Sequence, residues 1–282
     1  MAIMHKKILT SLIQMNSTAD LDRNLEEYLS KLNEALSYGS KFILSPEVSN
    51  FITTDHEKRL KIADSLESDI FIKETKSFCL KNSVWVLIGS LVMRSQSTNK
   101  CANSSILIDP KGEIKCKYDK IHMFDVNLSE KQKFTESKFY QKGDTAKLAK
   151  TEIGNIGLTV CYDVRFPNLY RQLAASGAHI ITIPSAFTKF TGNLHWEVLL
   201  RSRAIETGCF ILAPAQTGIH GQKGSRESFG HSMIVSPWGE VLNSLGSETG
   251  LCTAEIDLSI CNEFRSKIPN LQNMQRFSLQ IN

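Results

Sequence analysis

The sequence predicts a single α/β domain built on mixed β-sheet, and three features carry that expectation. Strand-like and helix-like hydrophobic periods alternate along most of the chain. Two Pro/Gly turns, Pro110-Lys-Gly-Glu113 and Pro237-Trp-Gly-Glu240, stand between short apolar runs and read as hairpins, which breaks a purely parallel βαβ succession. With 282 residues, 41% hydrophobic and 22% charged, the chain can bury a large core and lacks the apolar depletion of a disordered segment. No linker, repeat or low-complexity tract divides it, so 1–282 is expected to form one domain.

Residues 7–15 read as a strand. Asp20 then opens a helix whose Leu21, Leu25, Tyr28, Leu29, Leu32, Ala35 and Leu36 share a face, and Gly39 ends it. Residues 41–46 form a short buried strand stopped by Pro46, which has no N–H for a ladder, and Glu47 follows directly. A carboxylate just past the C-terminal end of a buried strand stands where α/β sheets keep their chemistry, although a loop carboxylate is more often only solvated. Residues 69–81 read as a helix, 84–88 as a strand closed by Gly89, and 104–109 with 114–118 as the arms of the first hairpin. Lys120 follows among aromatic and apolar neighbours, so partial burial is expected, and a buried lysine needs carboxylate partners. Residues 127–144, which include Glu136, show no period and read as a loop that could overhang a site.

Ile156-Gly-Leu-Thr-Val160 is strand-like and ends at Cys161, while 167–176 has helical spacing. Cys161 therefore falls on a strand-to-helix turn, exposed beside backbone N–H groups that can stabilise an oxyanion, with the positive helix end favouring thiolate. It is a candidate nucleophile, weighed against the ordinary use of free cysteine as a packed apolar residue. Arg165, four residues on, could hold a substrate carboxylate or instead tie the turn to Asp163. The alternation then continues with a strand at 179–183, a loop at 185–193, a helix at 195–207 and a strand at 209–213. Hairpin strands at 231–236 and 241–244, a last strand at 252–256 and a closing helix capped by Asp257 complete the chain.

Composition excludes several classes of function. A net charge of +4 with scattered lysines gives no nucleic-acid footprint, and no G-x-G-x-x-G or Walker loop supports nucleotide binding. The seven cysteines, at 79, 101, 116, 161, 209, 252 and 261, show no C-x-x-C pair and no zinc-finger spacing, so neither a disulfide framework nor a metal site is expected. A redox-sensing role would need a resolving cysteine near Cys161, for which Cys209 is the candidate. The first residues are too short and interrupted for a signal peptide, and no apolar run reaches membrane-spanning length. A reducing cytoplasm is the expected setting, with translation starting at Met1 or Met4.

Three blocks then fall in a telling order: Pro46-Glu47, Tyr118-Asp-Lys120-Ile-His-Met-Phe-Asp125, and Gly157-Leu-Thr-Val-Cys161-Tyr-Asp-Val-Arg165-Phe-Pro167. They resemble the Glu, Lys and Cys motifs of the nitrilase (carbon–nitrogen hydrolase) superfamily, and the similarity covers nearly the whole chain. The resemblance implies a four-layer αββα sandwich of two mixed sheets, usually as homodimers or larger homo-oligomers, and amide hydrolysis with no metal or cofactor. It implies Glu47 as general base, Cys161 as a nucleophile that forms a thioester, and Lys120 with the Tyr162 backbone N–H as oxyanion stabilisers. Glu136 matches a fourth position that orients Lys120 and substrate. Relatives often carry Pro-Gly where this chain has Ser129-Glu130.

Within the superfamily, Ser185-Ala-Phe-Thr, Thr191-Gly-Asn-Leu-His-Trp-Glu197, Arg201-Ser-Arg-Ala-Ile-Glu-Thr207 and Gly230-His-Ser-Met-Ile-Val-Ser-Pro-Trp-Gly239 resemble the Nit branch, which hydrolyses amides of small carboxylates. Pro46-Glu-Val-Ser-Asn-Phe51 and Ala213-Pro-Ala-Gln-Thr-Gly218 stand nearer its deaminated glutathione amidases than its omega-amidases. The expected reaction is hydrolysis of a small anionic amide, deaminated glutathione, to a carboxylate and ammonia; the alternative is omega-amidase action on 2-oxoglutaramate or 2-oxosuccinamate. An inactive scaffold of this fold would lack Glu47, Lys120 or Cys161, and all three are present.

Overall fold

Alternation along the first strands divides their apolar residues between two faces. In β1 (Lys7–Gln14), β2 (Phe42–Leu44) and β3 (Trp85–Arg94), Leu12, Phe42, Leu44, Trp85 and Leu87 enter one core, whereas Ile13, Ile43, Val86 and Ile88 enter another. Between these strands run α1 (Leu21–Ser37), α2 (His56–Ile62) and α3 (Ile70–Asn82); α1 and α3 cover the second face through Tyr28, Leu32, Phe71 and Phe78. This computed structural model describes residues 7–95, 98–129, 132–221 and 226–281, so the initiator methionines and Glu130 lie outside it.

After β4 (Cys101–Ile108) and β5 (Ile114–Asp119) come β6 (Asp125–Ser129) and β7 (Gln132–Thr135), a 3₁₀ turn over Glu136–Lys138, and β8 (Tyr140–Gln141) paired with β4. The segment expected as a loop is therefore largely an ordered ribbon. Its register, Asp125 opposite Thr135 and Val126 opposite Phe134, is set by pairing within the ribbon, so no core-directed period marks it in sequence.

The second half runs β9 (Lys147–Thr151), β10 (Gly154–Leu158), α4 (Pro167–Ala175), β11 (Ile180–Thr182), α5 (Lys189–Thr207) and β12 (Phe210–Ala213). It continues through β13 (Thr217–His220), β14 (Arg226–Phe229), β15 (Met233–Val235), β16 (Val241–Ser244), β17 (Gly250–Asp257) and α6 (Ser259–Lys267). One sheet has the order β17-β1-β2-β3-β4-β5, the other β16-β15-β12-β11-β10-β9. Each has a parallel centre, β1-β2-β3 or β10-β11-β12, flanked by antiparallel strands, as the two hairpin turns imply. Ile156, Leu158 and Ile180 share one buried core with the inward residues of the first sheet. Gly157 points the other way and makes room for α4, since a Cβ there would come 3.0 Å from Leu173.

Three boundaries differ from the sequence reading. Gly89 does not close β3: a Cβ at this position would lie 1.8 Å from the Ser45 carbonyl oxygen, so the glycine marks a close approach inside a longer strand. Helix α5 begins at Lys189, because Gly192 sits in its first turns under the Phe229 ring and hides the period. Asp257 lies one residue before the N-cap of α6 and braces it through Ser259, whose N–H and hydroxyl both donate to Asp257 Oδ1 at 2.9 and 2.7 Å.

Candidate active site

Segments that follow β2, β5, β7 and β10 deliver the chemistry-bearing residues to one cavity of about 320 Å³. Glu47 comes three residues after β2 and is 3% exposed. Its position is fixed by the backbone around it: Val48 takes a left-handed φ of +50°, its N–H donates to Ser90 Oγ at 2.8 Å, and Gln216 Nε2 donates to the Glu47 carbonyl at 3.0 Å. A left-handed β-branched residue is strained, and such strain persists where the surrounding bonds over-determine it. The Glu47 carboxylate is saturated, with Oε1 accepting from Lys120 Nζ at 2.9 Å and Asn103 Nδ2 at 2.8 Å, and Oε2 from the Ala186 N–H at 2.8 Å.

Lys120 follows the last residue of β5 and is 2% exposed. Its Nζ also donates to both oxygens of Glu136 at 3.0 and 2.8 Å, so the burial and the carboxylate partners foreseen for this lysine are both present. Glu136 is held in turn by the Phe124 N–H, which donates to Oε2 at 2.6 Å. Burial pushes the ammonium pKa down, but the charges of Glu136 and Glu47 outweigh it and hold the pKa well above the usual lysine value.

Cys161 opens a 3₁₀ turn, Cys161–Arg165, with φ at +49°, and its N–H donates to the Pro184 carbonyl at 2.9 Å. The cysteine is 7% exposed rather than open to solvent, and α4 starts only at Pro167, so no long-helix dipole acts directly on the thiol. Burial, followed by the Glu47 charge, pushes the Cys161 pKa up, with Lys120 opposing. The sequence expectation of a resting thiolate is therefore corrected to a resting thiol, its ionisation opposed by burial and by the Glu47 charge. Burial also pushes Glu47 up, but Lys120, Arg226 and the bonds from Lys120 and Cys161 bring it below the ordinary carboxylate value. The neighbouring groups are thus thiol, carboxylate and ammonium, an arrangement able to pass a proton from sulfur to oxygen.

Tyr162 lines the same cavity, its ring edge-on to Phe124 at 5.1 Å. Arg165 is not among the lining residues. Its guanidinium lies 5.3 Å from the Phe187 ring centroid and 5.9 Å from that of Tyr162, with Nη2 3.2 Å from His195 Nδ1. The turn directs Arg165 toward α5, with no bond to Asp163. Cys209 has Ala178, Thr207 and Arg265 as its polar neighbours, none of which lines the cavity.

Sequence reasoning missed Asp163, Asn103, Arg59 and Arg226. Asp163 is fully buried and accepts from Tyr118 Oη, Val160 N–H, His122 N–H and His122 Nδ1 at 2.6, 2.8, 3.0 and 2.7 Å. An aspartate inside an apolar block was the available signal, since a buried carboxylate must be bonded. Arg59, on α2, and Arg226, at the start of β14, line the cavity but sit on short segments without a readable period. Among the described residues no cluster of His, Cys, Asp and Glu could hold a metal, and no helix is long and apolar enough to cross a membrane.

This arrangement has close counterparts. A chain of Schizosaccharomyces pombe described as a probable hydrolase nit2 is 38% identical over 94% of this chain and 96% of its own length. Deaminated glutathione amidase of Yersinia enterocolitica is 37% identical over 94% of this chain and 91% of that one. The crystal structure of the C. elegans NitFhit protein superposes with a TM-score of 0.89 at 34% identity, over 95% of this chain and 65% of that longer one. The family model for carbon-nitrogen hydrolase matches residues 9–266, a span that takes in both sheets and the whole cavity. The chain thus belongs to the carbon-nitrogen hydrolase family and has the two-sheet, helix-covered fold of the nitrilase superfamily.

Proposed function

We propose that this chain, as one domain over 1–282, hydrolyses the amide of a small carboxylate-bearing substrate through a Cys161 thioester, with deaminated glutathione as that substrate. The supporting observation is the Glu47 carboxylate, hydrogen-bonded to Lys120 at 2.9 Å and lining one cavity with the buried Cys161 thiol. Glu47 takes the thiol proton as sulfur attacks the amide carbon. The oxyanion is met by the Lys120 ammonium and the Tyr162 N–H, which stands in the first turn of the 3₁₀ segment, where N–H groups lack intrahelical partners. Glu47 returns the proton to the leaving nitrogen, then takes one from water, and the resulting hydroxide attacks the thioester to release a carboxylic acid and restore the thiol. Lys120 remains protonated throughout, held so by Glu136 and Glu47.

The choice of substrate rests on the name of the Yersinia enterocolitica relative, together with the family resemblance of the Glu47 segment. Ammonia, the co-product expected from the sequence, fits 2-oxoglutaramate; the amide cleaved in deaminated glutathione is peptide-like, so its leaving group is instead an amine-bearing dipeptide. Incubating the purified protein with each compound and measuring primary amine and ammonia therefore separates the two activities. Release of primary amine, at a kcat/KM above that for 2-oxoglutaramate and absent from Cys161→Ala, is expected. Preferential ammonia release would transfer the assignment to omega-amidase, and no release from either would point to a scaffold.

The working form we propose is a homodimer in a reducing, cytoplasmic compartment, which keeps the free thiol available. Its support is an apolar stripe on α5, where Phe190, Leu194, Val198 and Ile205 are 56, 61, 65 and 45% exposed and fall on one side of the helix.

A further inference from the structure

The cavity wall holds more positive charge than the catalytic cluster accounts for. Arg59 is 7% exposed, yet among the described residues no carboxylate pairs with it. Its neighbours are neutral: Nη2 donates to the Thr53 carbonyl at 2.7 Å, Nη1 is 3.4 Å from His56 Nδ1, and the guanidinium lies 5.3 and 5.2 Å from the Phe139 and Tyr140 ring centroids. Arg226 is half-buried and its charge acts on Glu47, but among the described residues no carboxylate lies within ion-pair distance of it; Nη2 donates to the Ala186 carbonyl at 2.9 Å, and Nε is buried without a hydrogen-bond acceptor. A buried guanidinium satisfied only by neutral groups is costly, and an anion from outside the chain removes that cost.

The two arginines converge. Both line the cavity that contains Cys161, and Tyr140 lines it with them. Burial pushes the Tyr140 phenol pKa up, while the charges of Arg59 and Arg226 both pull it down, so both guanidiniums act on the same hydroxyl. Arg226 also reaches the catalytic end: Ala186, whose carbonyl it holds, gives its own N–H to Glu47. Lys133, exposed on β7, adds a third cation at the rim.

We infer that Arg59 and Arg226, which line one cavity with Tyr140, form the subsite that receives a carboxylate of the substrate while its amide carbon lies at Cys161. Guanidinium suits this task because its planar fork matches a carboxylate in two parallel bonds. Arg59 and Arg226 are thus specificity-determining residues for acid-bearing amides. The inference deepens the amidase reading and rests on it for the amide end of the ligand.

The test reads binding rather than turnover. Glutarate, a five-carbon dicarboxylate, offers one carboxylate in place of the acid product at Cys161 and a second for the arginines; 1,5-pentanediol has the same chain without charge. Alkylation of Cys161 by iodoacetamide is followed by peptide mass spectrometry at rising concentrations of each, and every variant is scaled to its own unprotected rate. Glutarate should protect the wild-type chain and pentanediol should not. Arg59→Gln and Arg226→Gln should each raise the half-protecting glutarate concentration at least tenfold, and the Lys variants, which keep charge but lose the fork and serve where a Gln variant fails to fold, by less. Equal half-protecting concentrations in wild type and the folded variants, no protection by glutarate, or equal protection by pentanediol would overturn the subsite. Arginine-dependent protection in a chain that turns over no amide would keep the subsite and remove the amidase reading. Turnover of deaminated glutathione with KM unaltered in both Gln variants would do the opposite.

Discussion

The Tyr118 hydroxyl donates to Asp163 Oδ2 at 2.6 Å, and through this buried bond the strand end that carries Lys120 is tied to the turn that carries Cys161. Asp163 reinforces the tie by accepting the N–H of Val160, just before the nucleophile, and two donors from His122, just after the lysine. Asp163→Asn would aim an amide NH₂ at two of these donors. A loss of roughly 2–4 kcal/mol in stability is expected, as buried charge-assisted bonds are replaced by donor-to-donor contacts. Activity should fall with it, because nucleophile and oxyanion stabiliser lose their common anchor. Tyr118→Phe removes only one bond and should cost about 1 kcal/mol with a smaller loss of kcat. Urea denaturation and steady-state kinetics check both; an Asn variant with wild-type kcat would remove Asp163 from any positioning role.

Glu47→Gln and Lys120→Met should each lower kcat/KM by a factor on the order of 10³ or more, because base, nucleophile and cation act as a unit. Their stability effects should differ in kind. In Glu47→Gln a side-chain NH₂ meets the Ala186 N–H, a local mismatch worth roughly 1–3 kcal/mol. In Lys120→Met, Glu47 and Glu136 lose the ammonium that bridges them at 2.9 and 2.8 Å, and a loss of about 3–5 kcal/mol is expected. A Lys120→Met protein as stable as wild type would mean that the two carboxylates are satisfied without the lysine.

Glu47, Lys120 and Cys161 were singled out by the resemblance of three blocks to one family's motifs, since residue type and place at a strand end left each with an ordinary alternative. The first sheet was legible because Phe42, Ile43 and Leu44 sit in a run whose two faces are both buried. What stayed hidden depends on contacts far apart in sequence. The Arg226 bond to Ala186 spans 40 residues and the Tyr118 bond to Asp163 spans 45, and neither leaves a local period. For Arg165, proximity in sequence to Cys161 left two roles open, because it does not fix the direction in which a 3₁₀ turn sends the side chain. The polar β6–β7 ribbon and the seven-residue α2 bury too few residues to print a pattern.

Charge on the exposed face of α5 tests the dimer. Leu194→Glu and Val198→Arg place charges at positions 61 and 65% exposed, where a monomer would tolerate them with changes within about 0.5 kcal/mol. If a second copy covers this face, either substitution should shift the sedimentation coefficient from dimer to monomer at micromolar concentration. A dimer unmoved by both substitutions would place its interface elsewhere.

Acid should destabilise the fold by way of His220, which pairs with Arg226 in the β13–β14 register. His220 is 2% exposed, and its Nδ1 lies 2.9 Å from the Ser17 carbonyl, so this nitrogen carries the proton and donates; Nε2 lies 2.9 Å from Ser228 Oγ. Burial is the main cause that pulls the His220 pKa down from the ordinary 6.5 to about 4, with the Arg226 charge adding to it and the Ser17 bond opposing. A group whose folded pKa lies below its unfolded value stabilises the fold fully above the unfolded pKa. That stabilisation is lost as the pH falls from about 6.5 toward 4, because the unfolded chain takes up a proton that the folded chain refuses. The slope approaches about 1.4 kcal/mol per pH unit within this window. His220→Gln cannot titrate, so the gap between wild type and variant, measured as unfolding free energy, should be widest near pH 7.5 and shrink steadily down to pH 5. Parallel stability profiles for the two proteins from pH 7.5 to 5 would rule out His220 as the group responsible.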